Sequence, residues 1–263
     1  MSFLAGFFSG VERDNPVIIP QPLRLGLIAL WIAVMVLFYV YRHRLAKMKN
    51  PYRLVKAMGI ILLIDQIILY GWQFFSGYFN LEMSLPLYHC RIAIPLLILD
   101  IVFGIKVLRP IWVYWAALGS IFSMAFMDLY RFDFPHYTNF QFFIAHILLG
   151  WVISYVIFVL DYRFDKKGLK VALRVTLIYN ITLILINAAF NGTFIASADL
   201  AYNYGYVVFA PEPLTALSLS VPTYLYYLII LVGYEALILL LFGLGRLLNK
   251  AGDRHHTPLR ASA

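Results

Sequence analysis

Three consecutive residues in LPLYHCRIAIPLLILD (Leu85 to Asp100), His89, Cys90 and Arg91, carry reactive groups where an apolar run has barely begun, and Cys90 is the only cysteine in the chain. Two further histidines, His136 and His146, fall in FPHYTNFQFFIAH (Phe134 to His146). A thiol with an imidazole beside it makes a nucleophile and its base. His89, His136 and His146 together also count as three zinc ligands, which with a water would complete a catalytic zinc pattern. The carboxylates Asp65, Asp100 and Glu235 stand inside apolar runs, where such groups relay protons or bind cations. Each type also has an inert use. A membrane cysteine serves as a small hydrophobe, and buried His, Asn or Gln often ties helices together. Asp65 is harder to dismiss, since a carboxylate near a bilayer centre costs ~2.5–3.5 kcal/mol on insertion scales. It needs a partner, a proton or a task.

The elements that must position these groups are apolar helices. The chain has 263 residues, 62% hydrophobic and only 13% charged, against roughly 25% charged in soluble domains. Its mean hydropathy is +0.80. The apolar runs are continuous and about 20 residues long, which suits helices crossing a ~30 Å hydrocarbon core and excludes the alternating pattern of a barrel. The expected fold is an all-α integral membrane bundle of seven transmembrane helices at 24–42, 54–75, 85–105, 110–128, 140–160, 171–190 and 223–245. Residues 1–22 read as a lead-in at the interface, 23–248 as the membrane domain, and 249–263 as a basic tail. No cleavable signal peptide is expected, because MSFLAGFFSG has no basic residue and too short an apolar stretch. No internal repeat and no second domain is evident.

The net charge is +8, and its placement explains it. Arg42, Arg44, Lys47, Lys49, Arg53 and Lys56 flank the first connection, Lys106 and Arg109 the third, and Arg163, Lys166, Lys167, Lys170 and Arg174 the fifth. Arg246, Lys250, Arg254 and Arg260 follow the last span. Only Arg13, Arg24, Arg91 and Arg131 fall on the other side. The positive-inside rule then puts the N-terminus outside and the C-terminus in the cytosol. Nucleic acid is not needed to account for the charge.

With this topology Cys90 and His146 lie at similar depth below the outer surface, and Pro135 and His136 sit at the rim. His146, Gly150 and Ser154 share one helical face. Gln66, Tyr70 and Gln73 follow one another on the second span. Ser120, Met124 and Asp128 align on the fourth, Asn180 and Asn187 on the sixth, and Tyr227 and Glu235 on the seventh. A polar cavity in the outer half of the bundle is therefore expected. The long connection Asn191 to Pro222 is unusually aromatic; it reads as a lid or as interfacial packing.

LPLYHC at Leu85–Cys90 resembles the L-P-L-H-x-C element of the YwaF-like bacterial membrane proteins, which are related to eukaryotic transmembrane protein 164. FPHYTNFQFFIAH resembles that family's F-P-H-x-x-F-x-x-F-F-x-x-H element at Phe134, Pro135, His136, Gln141, Phe142, Phe143 and His146. Tyr88 stands where the family's first histidine usually is, and the G-T-N-Y element appears only as Gly192-Thr193. The resemblance implies an integral membrane acyltransferase of the bacterial plasma membrane, using no cofactor and no metal. Membrane phospholipids would be its acyl donor and acceptor. Cys90 would be the nucleophile and His146 the general base, with His136 orienting the base or holding a headgroup phosphate. Arg91 and Arg131 would meet the phosphate and Asn187 the oxyanion. His89, Asp65, Gln73 and Asp128 complete the expected substrate-binding set.

Two other classes stay open. A zinc-dependent seven-helix hydrolase of the alkaline-ceramidase kind would use His89, His136 and His146, although no H-x-x-x-H pair occurs within a span. A proton- or cation-coupled transporter, or a lipid-binding scaffold, would use Asp65, Asp100 and Glu235; the lack of a repeat argues against most secondary transporters. A retinal protein is excluded, because the seventh span has no lysine. The oligomeric state is open.

Overall fold

The computed structural model describes residues 3–13, 17–212 and 214–254, with side chains to residue 250. Pro16 and the end of the basic tail, including His255, His256 and Arg260, lie outside the described residues. The helices are α1 (Phe3–Phe7), α2 (Gln21–Val40), α3 (Arg42–Ala46), α4 (Tyr52–Phe75), α5 (His89–Ile101), α6 (Arg109–Phe126), α7 (Tyr137–Phe158), α8 (Lys166–Asn191), α9 (Thr215–Leu219) and α10 (Thr223–Arg254). Among the described residues, six helices are long and apolar enough to cross a membrane: α2, α4, α6 with the turn before it, α7, α8 and α10. The chain is a multi-pass membrane protein.

The third expected span, 85–105, holds a helix only over His89–Ile101. At 1.5 Å per residue its 13 residues cover roughly 20 Å, short of a ~30 Å core. Its ends are set locally. Leu85 N–H donates to the Tyr204 hydroxyl and the Leu87 carbonyl accepts from the Tyr179 hydroxyl, which ties down the incoming chain before the helix starts at His89. Past Ile101 the chain turns at Gly104, whose φ of +80° suits a residue without Cβ. A polar entry and a glycine exit therefore trim what an apolar count reads as a full span.

α7 lies between α2, α4 and α6; α5 packs between α4 and α6, and α8 links α6 to α10. The shared core includes Leu62, Ile94, Leu97, Trp112, Trp115, Leu149, Tyr155 and Ile238. By contrast, α2 buries none of its residues. Asp165 caps α8 by accepting from the Gly168 N–H at 2.7 Å, and His136 caps α7 by accepting from the Thr138 N–H at 3.2 Å. Each satisfies a donor that the first helical turn leaves free.

The two ends of the bundle differ in charge. One carries the basic connections and is closed by Asp100, which accepts from Arg109 at 2.7 and 2.8 Å and from the Trp112 indole at 2.8 Å. The other gathers the N-terminal segment, the turns after α4 and α6, and the long connection after α8. There Trp72 donates to the Phe8 carbonyl, Tyr78 to Glu12, and the Arg13 N–H to the Arg131 carbonyl. The connection after α8 packs inward rather than hanging free: Tyr204, Val207 and Val208 are buried against Leu183.

Candidate functional site

Cys90 enters the site through a close helix contact. A Cβ added at Gly119 of α6 would stand 2.6 Å from the Cys90 Cβ. Only glycine allows α5 and α6 to approach so closely at the cysteine. The polar end of the bundle contains a cavity of about 810 Å³, within the ~300–1,000 Å³ range of small-molecule sites. Cys90, Arg91, Asp128, Arg131 and His146 all line it. The structure thus brings together five residues that the sequence singled out, from α5, the turn after α6, and α7.

His146 is held in a defined tautomer. Its Nδ1 lies 2.7 Å from the Phe142 carbonyl oxygen. A carbonyl only accepts, so Nδ1 carries the proton and Nε2 keeps its lone pair. The His146 carbonyl in turn accepts from the Ser120 hydroxyl at 2.6 Å, which locks this turn of α7 against α6. Gly150, one turn further along the same face, is where Trp31 of α2 and Ser120 come close. The small and polar stripe read from spacing is therefore a contact face for two helices.

Arg91 is fixed from three sides. Its guanidinium donates to the Met83 carbonyl at 2.8 Å and to the Tyr130 hydroxyl, and it sits 5.1 Å from the centre of the Tyr88 ring. At the mouth, Asp128 accepts from the Tyr206 hydroxyl at 2.9 Å. Burial among surrounding protein pushes this carboxyl up, and the Tyr206 hydrogen bond pulls the other way. Asp128 stands exposed at the rim of the cavity, within reach of a small molecule.

The remaining expected site residues are committed elsewhere. His89 points away from Arg91 into an aromatic cage, stacked on Tyr234 at 4.6 Å and edge-on to Trp115 and Tyr179 at 5.1 Å. Its Nε2 lies near the Asn180 amide without reaching hydrogen-bond geometry. His136 uses both ring nitrogens: Nδ1 accepts from Thr138, and Nε2 donates to the Ser9 carbonyl at 3.0 Å. Burial holds this ring below the usual histidine value, and the Ser9 carbonyl works against that. Asn187 spends its whole amide internally, donating to the Leu183 carbonyl of its own helix and to the Tyr204 carbonyl, and accepting from the Tyr204 N–H at 2.7 Å. Asp65 accepts from Gln141 at 2.8 Å. Gln73 donates to the Tyr130 hydroxyl at 3.3 Å, while its Oε1 stays buried without a partner.

Among the described residues, no three His, Cys, Asp or Glu side chains converge as a metal-ligand set. His89 is turned into an aromatic cage and His136 to the N-terminal segment, while His146 lines the cavity. Asp100, a carboxylate considered for ion relay, is closed off by its bidentate pairing with Arg109.

Several lining residues were given no role by the sequence reading. Tyr130 accepts from both Arg91 and Gln73. Gln141 joins the cavity wall to Asp65. Tyr234 lines the cavity with Cys90 while its ring stacks on His89. For Gln141 a signal was present, since it belongs to the same motif as His136 and His146. Tyr130 and Tyr234 are two among 19 tyrosines, and nothing in their spacing marks them.

The TMEM164 family model matches residues 20–245. No curated protein and no solved structure matches the chain.

Proposed function

The chain belongs to the TMEM164 family, and from that membership and the cavity just described we propose that it is an integral membrane acyltransferase working through a thioester on Cys90. The observation that carries the reading is that Cys90 and His146, distant in sequence and on different helices, line one cavity, with His146 held so that Nε2 is free to take a proton. In the first half-reaction His146 Nε2 takes the thiol proton and Sγ attacks the ester carbonyl of a donor phospholipid. A C–S bond forms, the C–O bond breaks, and the departing lysolipid oxygen receives the proton from His146. In the second half the acceptor hydroxyl gives its proton to Nε2 and attacks the thioester, forming a C–O bond and releasing the thiol. Arg91 and Arg131 are the cations on the cavity wall suited to a lipid phosphate. His136 positions α7, and through it His146, rather than touching substrate. Water in place of the acceptor would make the same site a hydrolase.

The topology that goes with this reading has seven crossings, α5 and its flanking turns making the third. The basic end lies in the cytosol and the cavity faces the outer leaflet. The one-sided placement of Lys and Arg supports it. Intact mass of the protein purified with native lipid, wild type beside Cys90→Ala, tests the chemistry. An acyl-sized increment on wild type alone is expected. No increment on either after lipid is supplied, or the same increment on both, would overturn the thioester.

A further inference from the structure

The lining of the cavity divides by chemistry into a polar limb, Cys90, Arg91, Asp128 and His146, and an apolar limb supplied by α6 and α10. The apolar limb includes Phe122 and Phe126 of α6 and Ile229, Ile230, Gly233 and Leu237 of α10. α10 leans on α8 and meets α6 only lightly, so a slot stays open between them. From Tyr226 to Leu237 the lining positions recur on one face of α10, a run of about 16 Å at 1.5 Å per residue.

One position in that wall is empty. A Cβ built at Gly233 meets no atom within 4 Å, although its neighbours on the same face are Ile229, Ile230 and Leu237. Glycine weakens a helix interior, and here no close packing against another helix requires it. We infer that the slot between α6 and α10 receives the hydrocarbon chain of a membrane lipid, and that Gly233 sets how long a chain fits. The occupant follows from the surroundings: the slot is walled by apolar side chains of membrane-length helices and is continuous with the polar limb that would take a lipid's ester and phosphate. A side chain at Gly233 would cross the slot and cut off its far part.

The inference rests on the acyltransferase reading only for which atom the chain end reaches, and its test separates the two. Lysophospholipids with single saturated chains from decanoyl to eicosanoyl are titrated onto full-length Cys90→Ala protein, with binding followed by native mass spectrometry. Affinity should rise about fourfold per buried methylene and then level off. In Cys90→Ala combined with Gly233→Leu the levelling should move to shorter chains, and with Gly233→Trp further still. Gly243 of α10 also has open space around it and does not line the cavity, so Gly243→Trp should leave the ladder unchanged. If Gly233→Trp does not fold, Gly233→Ala and Gly233→Leu in the same Cys90→Ala background still give the graded shift. Identical ladders in all variants, or no gain with chain length in any, would overturn the slot. In parallel, intact masses are compared between Gly233 variants that keep Cys90. A shifted ladder without a Cys90 adduct would leave the slot standing and remove the thioester. An adduct of unchanged chain length in Gly233→Trp would do the reverse.

Discussion

At the basic end of the bundle Asp100 takes two hydrogen bonds from Arg109 and one from Trp112, and Asn249 ties Tyr162 to Phe164. Polar groups there are matched to one another. At the opposite end Cys90, Arg91, Asp128 and His146 are held by backbone and aromatic neighbours and still face open space. His146 shows the pattern in one ring, with Nδ1 pinned and Nε2 presented. Both ends are rich in hydrogen bonds, so the count of polar contacts does not separate a structural site from a functional one. What separates them is whether a held group has an unused valence directed into a cavity. Asp100 is fully buried and directs none into a cavity, whereas His146 does.

The comparison breaks most sharply at Cys90. Cys90→Ser keeps size and polarity at the cavity wall but weakens the nucleophile, and turnover should fall on the order of 10⁶-fold, the scale seen when a covalent nucleophile is lost. Thermal unfolding should be unchanged. His146→Gln should cost about 10²–10⁴-fold, again with little effect on stability. Wild-type acyl transfer in either variant would sink the assignment. The mirror experiment is Asp100→Ala. It leaves the Arg109 guanidinium without its carboxylate at a site where the Asp100 side chain is fully buried, which should destabilise the fold by about 3–5 kcal/mol. Activity per folded molecule should not change. If Asp100→Ala spared stability and removed activity, the two ends would have been assigned the wrong way round.

A smaller effect tests how the ends are joined. Gly119 lets α6 touch α5 at Cys90. Gly119→Ala should press on the cysteine backbone and displace the thiol, and a misplacement near 1 Å lowers rates by about 10²-fold. The loss should appear in the rate of adduct formation while lipid binding to the slot is kept. Equal rates in both proteins would mean that α5 yields without cost.

Much of this division is visible in sequence, and the misplacements have physical causes. The one-sided basic residues and the motif around His146 mark the two ends. Cys90 and His146 could be set at equal depth from span boundaries alone. His89 could not be assigned, because adjacent residues on a helix point about 100° apart, and only packing decides which of the three turns away from the cavity. Asn187 looks like a free amide until Tyr204 is brought back onto it by a connection whose path no periodicity describes. The third span reads as full length because its apolar count ignores that Leu85 and Leu87 are held outside the helix by Tyr204 and Tyr179. Each of these turns on tertiary contacts across many residues, which local patterning does not encode.

The smallest predicted effect concerns His136 and sets it against His146 on the same helix. His136 has no valence left: Nδ1 accepts from Thr138 at the start of α7 and Nε2 donates to Ser9. Burial favours its neutral form, so its folded value lies below the ~6.5 of the unfolded chain. Below that pH the unfolded state binds more protons than the folded one. Stability from this residue is therefore complete above about pH 6.5 and is lost as pH falls toward the folded value. Protonated Nδ1 can no longer accept from Thr138, which removes a cap worth about 1 kcal/mol. His136→Asn keeps an acceptor at the cap and removes the titration. The difference in unfolding midpoint between wild type and His136→Asn should grow in favour of the variant as the solution is acidified from about pH 7 to about pH 5. Parallel curves would mean that His136 does not titrate against the fold, and a wild-type advantage at low pH would mean that its charged form has a partner at this end of the bundle.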